Sequence, residues 1–330
     1  MGKWNALRHG DWKLIRDGSA WQLFNLTADI AETADLAAKE PARVAELSAL
    51  WDKWNAEQSE PLWKKMRPFF PRAHLPCASI PADSLRFMLL YPAIDLMSGQ
   101  VVRLRQGRAD QKTVYSSDPA AFARQWESEG GDWLHIVDLD ASFSGKQQNL
   151  ESVRAITSAV GIPCELGGGI RDVEAIRRAL DAGVARVILG TKAAESLEFV
   201  GEMAREFGRE KIAVGIDAKN GIVSVKGWTQ ETGQSALDLA CNAVKAGAGT
   251  IIYTDIATDG MLQGPNFPET ERVNAAIVPL GGQLIASGGV GTAEHVLRAA
   301  KIPSLYGCII GKALYDKTLS LPEVKAALRG

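Results

Sequence analysis

The sequence predicts an α/β protein, a (β/α)8 TIM barrel with an internal half-barrel repeat over residues 88–330, preceded by a small N-terminal α+β segment. Three observations carry this. From Leu89 onward eight short apolar runs alternate with amphipathic helical stretches, the pattern of parallel βα units. The stretch from Met88 to Gly330 is close to the ~250 residues that such a barrel needs. Motifs recur at a fixed interval: Ile94-Asp95-Leu96 with Gly99 returns as Ile216-Asp217-Ala218 with Gly221, and Gly168-Gly169-Ile170 returns as Gly288-Gly289-Val290, each about 120 residues later.

The first elements belong to a different unit. Six of the nine tryptophans precede residue 64, at Trp4, Trp12, Trp21, Trp51, Trp54 and Trp63, whereas glycine concentrates later. Short strands are expected over Trp12 to Ile15 and Trp21 to Phe24, and a helix from Pro41, suited to a first helical turn, to Glu57. Val44, Leu47, Leu50, Trp51 and Trp54 recur at helical spacing and supply a face to pack on the preceding strands. Pro61, Pro68, Pro71, Pro76 and Pro81 then exclude a regular helix, so residues 61–87 read as a linker between a segment at 1–60 and the barrel at 88–330.

The barrel strands are expected at Leu90 to Ile94, Leu134 to Val137, Pro163 to Leu166, Arg186 to Leu189, Ile212 to Ile216, Thr250 to Tyr253, Gln283 to Ala286 and Tyr306 to Ile310. Helical stretches such as Pro119 to Glu129, Val173 to Ala182, Ala236 to Ala246 and Ala293 to Ala300 lie between them. Asp118, Asp172 and Thr292 suit the N-caps of three of these helices. Two further extended runs, Val101 to Leu104 and Ile222 to Val225, fit hairpins inserted after the first and fifth strands.

A formal net charge of -2 with dispersed basic residues supplies no basic stripe for nucleic acid or an anionic membrane surface, which leaves a small molecule as the expected partner. Cys77, Cys164, Cys241 and Cys308 form no CxxC pair and read as reduced packing residues. With His9, His74, His135 and His295 scattered, no metal cluster is expected. The opening MGKWNALRHGDWK lacks the apolar core of a signal peptide, and no run reaches the roughly 18 apolar residues of a membrane span, so a cytoplasmic location is expected. The sequon at Asn25 reads as a turn.

Catalytic groups in such barrels sit at the C-terminal ends of strands, where Asp95 and Asp217 end the first and fifth. Half-barrel symmetry sets them on opposite walls of one mouth. Two carboxyls so placed can act as base and acid on one substrate once their environments separate their pKa values. Gly168, Gly169, Gly190 and Thr191 follow strands three and four, and Gly288, Gly289, Gly311 and Lys312 follow strands seven and eight. Glycine turns let backbone N–H groups approach a phosphate, so two opposed sets imply a substrate carrying a phosphate at each end.

The stretches YPAIDLMSGQVVRLRQGR, LHIVDLDASFSGKQQN, GGGIRD, ILGTKA, IDAKNGIVSVKGW, YTDIATDGMLQGPN, ASGGV and IIGKAL resemble, in order, the ProFAR isomerase family of histidine biosynthesis. The resemblance implies a cofactor-free Amadori rearrangement of phosphoribosylformimino-aminoimidazole carboxamide ribotide, an aldose with phosphate at both ends, into the ketose that the pathway cyclase consumes. It implies Asp95 as the base that takes the C2′ proton and Asp217 as the acid that assists ring opening. Arg171, Trp228, Thr254 and Asp255 match mouth positions, and His135 is left outside the acid and base roles. Two alternatives accompany this reading: a dual-substrate isomerase that also serves tryptophan synthesis, whose ELSGGIRD is ELGGGIRD here, and a non-catalytic phosphosugar-binding barrel. The stretches ALRHGDWKLI, WQLFNLTADIAETADLA and ALWDKWNAE within the first 60 or so residues resemble the extreme C-terminal tail of sulfatases, without the region that carries sulfatase chemistry, which implies a catalytically inert passenger.

Overall fold

A computed structural model describes residues 4–17, 20–29, 32, 34–57, 88–105, 108–225, 227–228 and 230–329. The chain divides into two compact units, Met1–Ile80 and Pro81–Gly330. Residues 61–87, expected to form a linker, lie outside the described residues.

In the first unit, β1 (Trp4–His9), β2 (Trp12–Asp17) and β3 (Ala20–Asn25) form an antiparallel meander, followed by α1 (Pro41–Glu57). The strand β1 was not anticipated: its residues show little apolar alternation, and it becomes a strand by pairing with β2 along all six positions. Cross-strand partners Leu14 and Leu23 meet Leu47 of the helix in a small core, with Val44, Trp12 and Trp21 packed around it. Trp51 sets an edge against the Trp21 ring, with centroids 6.4 Å apart. Leu50, expected on the packing face, is instead 39% exposed, because the three-stranded sheet covers only the stripe through Val44 and Leu47. The Trp54 side chain lies outside the described residues.

The second unit is a closed barrel. It begins with β4 (Leu89–Met97), followed by β5 (Gln100–Arg105), β6 (Arg108–Ser116) and α2 (Pro119–Ser128). Then come β7 (Leu134–Asp138), α3 (Leu139–Ser144), α4 (Leu150–Ala159), β8 (Cys164–Gly167) and α5 (Val173–Asp181). The first half ends with β9 (Arg186–Leu189), α6 (Thr191–Glu195) and α7 (Leu197–Phe207). The second half holds β10 (Ile212–Lys219), β11 (Ile222–Val225), β12 (Gln230–Ser235) and α8 (Ala236–Ala246), then β13 (Thr250–Asp255) and α9 (Phe267–Ile277). It closes with β14 (Gln283–Ser287), α10 (Ala293–Ala300), β15 (Gly307–Ile310), α11 (Lys312–Tyr315) and α12 (Leu321–Arg329).

Parallel pairing runs in a ring through β4, β7, β8, β9, β10, β13, β14 and β15 and back to β4. A closed ring leaves no exposed strand edge, and the helices cover its outer face. The expected caps are present: the side chains of Asp118, Asp172 and Thr292 accept from the backbone N–H of Ala121, Ala175 and His295. The two inserted hairpins are longer than expected. Each is a meander of two strands, β5 with β6 and β11 with β12, and the outer strands RADQKTVYS and QETGQS were missed because neither has an apolar face to bury.

Inside the ring, Gly307 of β15 gives way to the ring of Tyr91, which is fully buried. A Cβ at Gly307 would stand 2.5 Å from Tyr91 Cε2 and 3.1 Å from the Leu89 carbonyl oxygen. Gly307→Ala is therefore expected to destabilise the full-length protein by about 1–3 kcal/mol through overpacking. Denaturant unfolding reads this directly, and an unchanged midpoint would show that the ring moves aside at no cost.

Candidate active site

The C-terminal ends of the barrel strands enclose a cavity of about 320 Å³. Asp95 ends the inward-facing positions of β4 and Asp217 those of β10, and both line the cavity. Their positions match through the sheet: Asp95 pairs with Val137 on one side and Val102 on the other, Asp217 with Thr254 and Ser224. The half-barrel repeat thus sets one carboxyl on each wall.

The two carboxyls have different partners. Asp95 Oδ2 accepts from Arg103 Nη1 of β5 at 2.8 Å, so a cation stays beside it. Asp217 Oδ2 accepts from the indole Nε1 of Trp228 at 2.9 Å, and Thr254 also donates to it. Burial pushes the Asp217 carboxyl above its ordinary range, and these neutral donors together with His135 only partly offset the rise. Trp228 reaches Asp217 from the turn between β11 and β12 with φ of 71°, a backbone conformation unusual for an aromatic residue and typical of side chains held in place at a site.

A third carboxyl, Asp259, lines the same cavity from the loop after β13 and was missed in the sequence. Burial is the main cause that raises it; Arg103 pulls it down, while Asp95 and Asp217 push it further up. Its signal was weak: in YTDIATDG only the first aspartate stands at a strand end, whereas Asp259 lies on an irregular loop to which no periodicity assigns a direction.

At one end of the cavity Gly168 and Gly169 follow β8, and Gly190 caps α6 ahead of Thr191; at the other Gly288 and Gly289 follow β14, and Gly311 caps α11 ahead of Lys312. All eight line the cavity. No side chain caps the start of α6 or α11. Gly169 has φ of 67° and Gly289 of 83°, and added Cβ atoms there would meet Ala141 Cβ at 2.5 Å and Thr258 Cβ at 3.1 Å, so only glycine lets these turns lie close to α3 and to the loop after β13. Arg171 lines the cavity and donates from Nη2 to the Ser142 carbonyl at 3.3 Å; Lys312 also lines it, with its ammonium 2.8 Å from Asp316.

Asp255 is the one expected site residue that stands apart from the lining. Its carboxylate turns into its own loop, where Oδ2 accepts from Asn266 Nδ2 at 2.6 Å and Oδ1 from the Ala257 N–H at 2.9 Å. The half-barrel partner Asp138 does the same, accepting from Asn149 Nδ2 at 2.6 Å and from the Ala141 N–H at 3.0 Å. Both aspartates clamp a mouth loop from below. Among the described residues no cluster of three or more His, Cys, Asp or Glu is arranged to hold a metal ion, and no helix is long and apolar enough to cross a membrane.

Residues 89–320 match the profile of the histidine biosynthesis protein family. The chain belongs to this family. It is 49% identical over 241 residues to a protein of Opitutus terrae, an alignment that covers 72% of this chain and 97% of that one. It is 47% identical over 239 residues to a protein of Symbiobacterium thermophilum, covering 71% and 94%. The match to a protein of Ruegeria pomeroyi is 48% over 245 residues, covering 74% of this chain and all of the relative. Each of the three is named a 1-(5-phosphoribosyl)-5-((5-phosphoribosylamino)methylideneamino)imidazole-4-carboxamide isomerase, numbered 1 in the case of Ruegeria pomeroyi.

Proposed function

We propose that the barrel converts ProFAR, the aminoaldose named by its relatives, into the corresponding aminoketose by an Amadori rearrangement in histidine biosynthesis. The observation that supports this best is the cavity itself: two symmetry-matched carboxyls face each other across it, and open glycine turns flank it at both ends. A substrate with two terminal phosphates spans such a site, each phosphate against one pair of turns (Gly168, Gly169, Gly190 and Thr191 at one end, Gly288, Gly289, Gly311 and Lys312 at the other). Arg171 and Lys312 supply positive charge there, and Thr254 and Trp228 fix the Asp217 carboxyl.

The chemistry divides between the walls. Asp217, whose carboxyl burial pushes above its ordinary range, donates its proton to the ribosyl ring oxygen as the C1′–O bond opens and the lone pair of the substituent nitrogen forms a C1′=N bond. Asp95, with the Arg103 guanidinium beside it, removes the proton from C2′, and the electron pair left behind forms the C1′–C2′ double bond of an enolamine as the C1′=N pair returns to nitrogen. Asp95 returns its proton to C1′ while the C2′ hydroxyl gives up its own to the Asp217 carboxylate, which gives the ketone and restores both carboxyls to their starting forms. A specific observation supports a second reading of the acid: Asp259 is also buried, raised and in reach of the same cavity, so it competes with Asp217 for that role.

Residues 1–60 are read as a catalytically inert passenger and 61–87 as a connector, with the product passed on to the pathway cyclase in the cytoplasm. ProFAR turnover by purified full-length protein, followed by the absorbance change when the cyclase consumes product, tests the activity. A fragment that starts at Met88 is expected to match the full-length rate. A fragment that fails to fold would overturn the passenger reading, and absence of turnover in both proteins would overturn the isomerase reading.

A further inference from the structure

Beneath Asp95 and Asp217 the two halves of the barrel interior are built from different chemistry. Strand register matches Tyr91 with Ala213, His135 with Ile252, Glu165 with Ile285 and Arg186 with Gly307. The second half fills these places with aliphatic or small residues. The first half fills them with one connected polar chain. Glu165 is fully buried; its Oε2 accepts from Arg186 Nε at 2.9 Å and Nη2 at 2.5 Å, and its Oε1 lies 2.7 Å from His135 Nδ1. Arg186 in turn donates to Thr250 Oγ1 at 2.9 Å and to the Tyr91 hydroxyl at 3.2 Å, and its guanidinium lies 4.4 Å from the centroid of the Trp133 ring.

A buried ion pair holds no general stability advantage over apolar side chains of similar volume, and the second half shows that this barrel accepts an apolar filling. The polar chain therefore serves something else, and its upper end shows what. His135 lines the floor of the cavity, next to Asp217. Burial alone would raise the Glu165 carboxyl, but Arg186 and His135 outweigh it and hold it below the usual range, so Oε1 is an anionic acceptor. Nδ1 of His135 must then carry a proton. In the neutral ring that leaves Nε2 as an acceptor. Nε2 makes no hydrogen bond among the described residues and is not among the buried polar atoms that lack a partner, which leaves it open to the cavity.

We propose that Glu165 is a positioning residue for the isomerisation, fixing His135 in the tautomer whose Nε2 accepts a hydrogen bond from a ribosyl hydroxyl of the substrate. The substrate half of this rests on the phosphosugar reading of the cavity above; the tautomer half stands on the interior geometry alone. A similar logic holds for ring orientation by carboxylates elsewhere, where the partner on one ring nitrogen dictates what the other can do.

Glu165→Gln inverts the device without changing its shape. Arg186 donates two hydrogen bonds to one oxygen of residue 165, so the amide oxygen stays on Arg186 and the amide NH2 turns to His135. Nδ1 must then accept, and the proton moves to Nε2. Nitrogen-edited NMR of the full-length protein reads the tautomer without substrate, with the His135→Phe spectrum assigning the resonances among the four histidines. The expected result is Nδ1–H in the wild type, Nε2–H in E165Q, and kcat/KM toward ProFAR lower in E165Q on the order of 10- to 100-fold. The same tautomer in both proteins overturns the positioning role, and a switched tautomer with unchanged kcat/KM overturns the substrate contact. A wild-type ring protonated at Nε2 overturns the proposal even if E165Q does not fold. A switched tautomer in a protein whose wild type leaves ProFAR untouched still supports the positioning role and counts against the substrate assignment instead.

Discussion

Asp95→Asn is expected to lower kcat by about a hundred- to ten-thousandfold, the range over which a positioned general base contributes, while ligand binding persists. The amide oxygen of the variant can still accept from Arg103 Nη1, so the wall of the cavity keeps its shape and only the proton acceptor is lost. Equilibrium binding of ProFAR beside single-turnover kinetics separates the two effects. A variant with near wild-type turnover would remove Asp95 from the role of base, and a variant that neither binds nor turns over would show that the carboxylate organises the phosphate ends rather than the chemistry.

Replacing Asp217 by Asn should also remove most turnover, and it carries a stability signature of opposite sign. Burial raises the Asp217 carboxyl in the folded chain, so the acid form needed for ring opening survives to a higher pH, and wild-type kcat/KM falls as pH rises through that raised value. The linkage follows from the same shift. Because the folded pKa lies above the unfolded one, the folded state holds the proton more tightly, and its stability declines as pH rises from the ordinary carboxyl range, about 3.9, towards the raised value. Asn cannot ionise, so D217N should gain stability relative to the wild type across that window while it loses activity, a trade-off common at active sites. Denaturation midpoints at several pH values together with pH–rate profiles check both limbs. If Asp259→Asn erases the alkaline limb and D217N leaves it in place, the acid is Asp259.

The sequence made the barrel legible through features that depend on repetition. Eight buried strands read as short apolar runs, and the recurrence of Ile94-Asp95-Leu96 as Ile216-Asp217-Ala218 puts two carboxyls at matched strand ends. Fully buried parallel strands leave such a signature because both of their faces are apolar. Solvent-exposed strands do not, and β6 and β12 passed unnoticed for that reason. Side-chain direction on irregular loops was equally hidden: Asp255 stands at a strand end yet turns into its own loop, while Asp259, four residues on, faces the cavity. Leu50 shows a related limit in the small N-terminal unit, since helical spacing marks an apolar stripe but not how much of it three short strands can cover.

The polar chain from Arg186 through Glu165 to His135 was illegible for a further reason. Its members are 51 residues apart at their widest, from His135 to Arg186, and each sits alone in an apolar run where a buried partner cannot be guessed. Only the ring closure of the strands brings them into one layer.

The measurement that bears most directly on the central claim uses ProFAR labelled with deuterium at C2′ and the purified full-length protein. Proton removal by Asp95 at that carbon predicts that wild-type turnover is slowed by the label, and that Asp95→Asn leaves the label at C2′ of recovered ProFAR over many wild-type turnovers. A label that leaves single-turnover conversion by the wild type unslowed, or loss of the label at an undiminished rate in Asp95→Asn, would contradict the account.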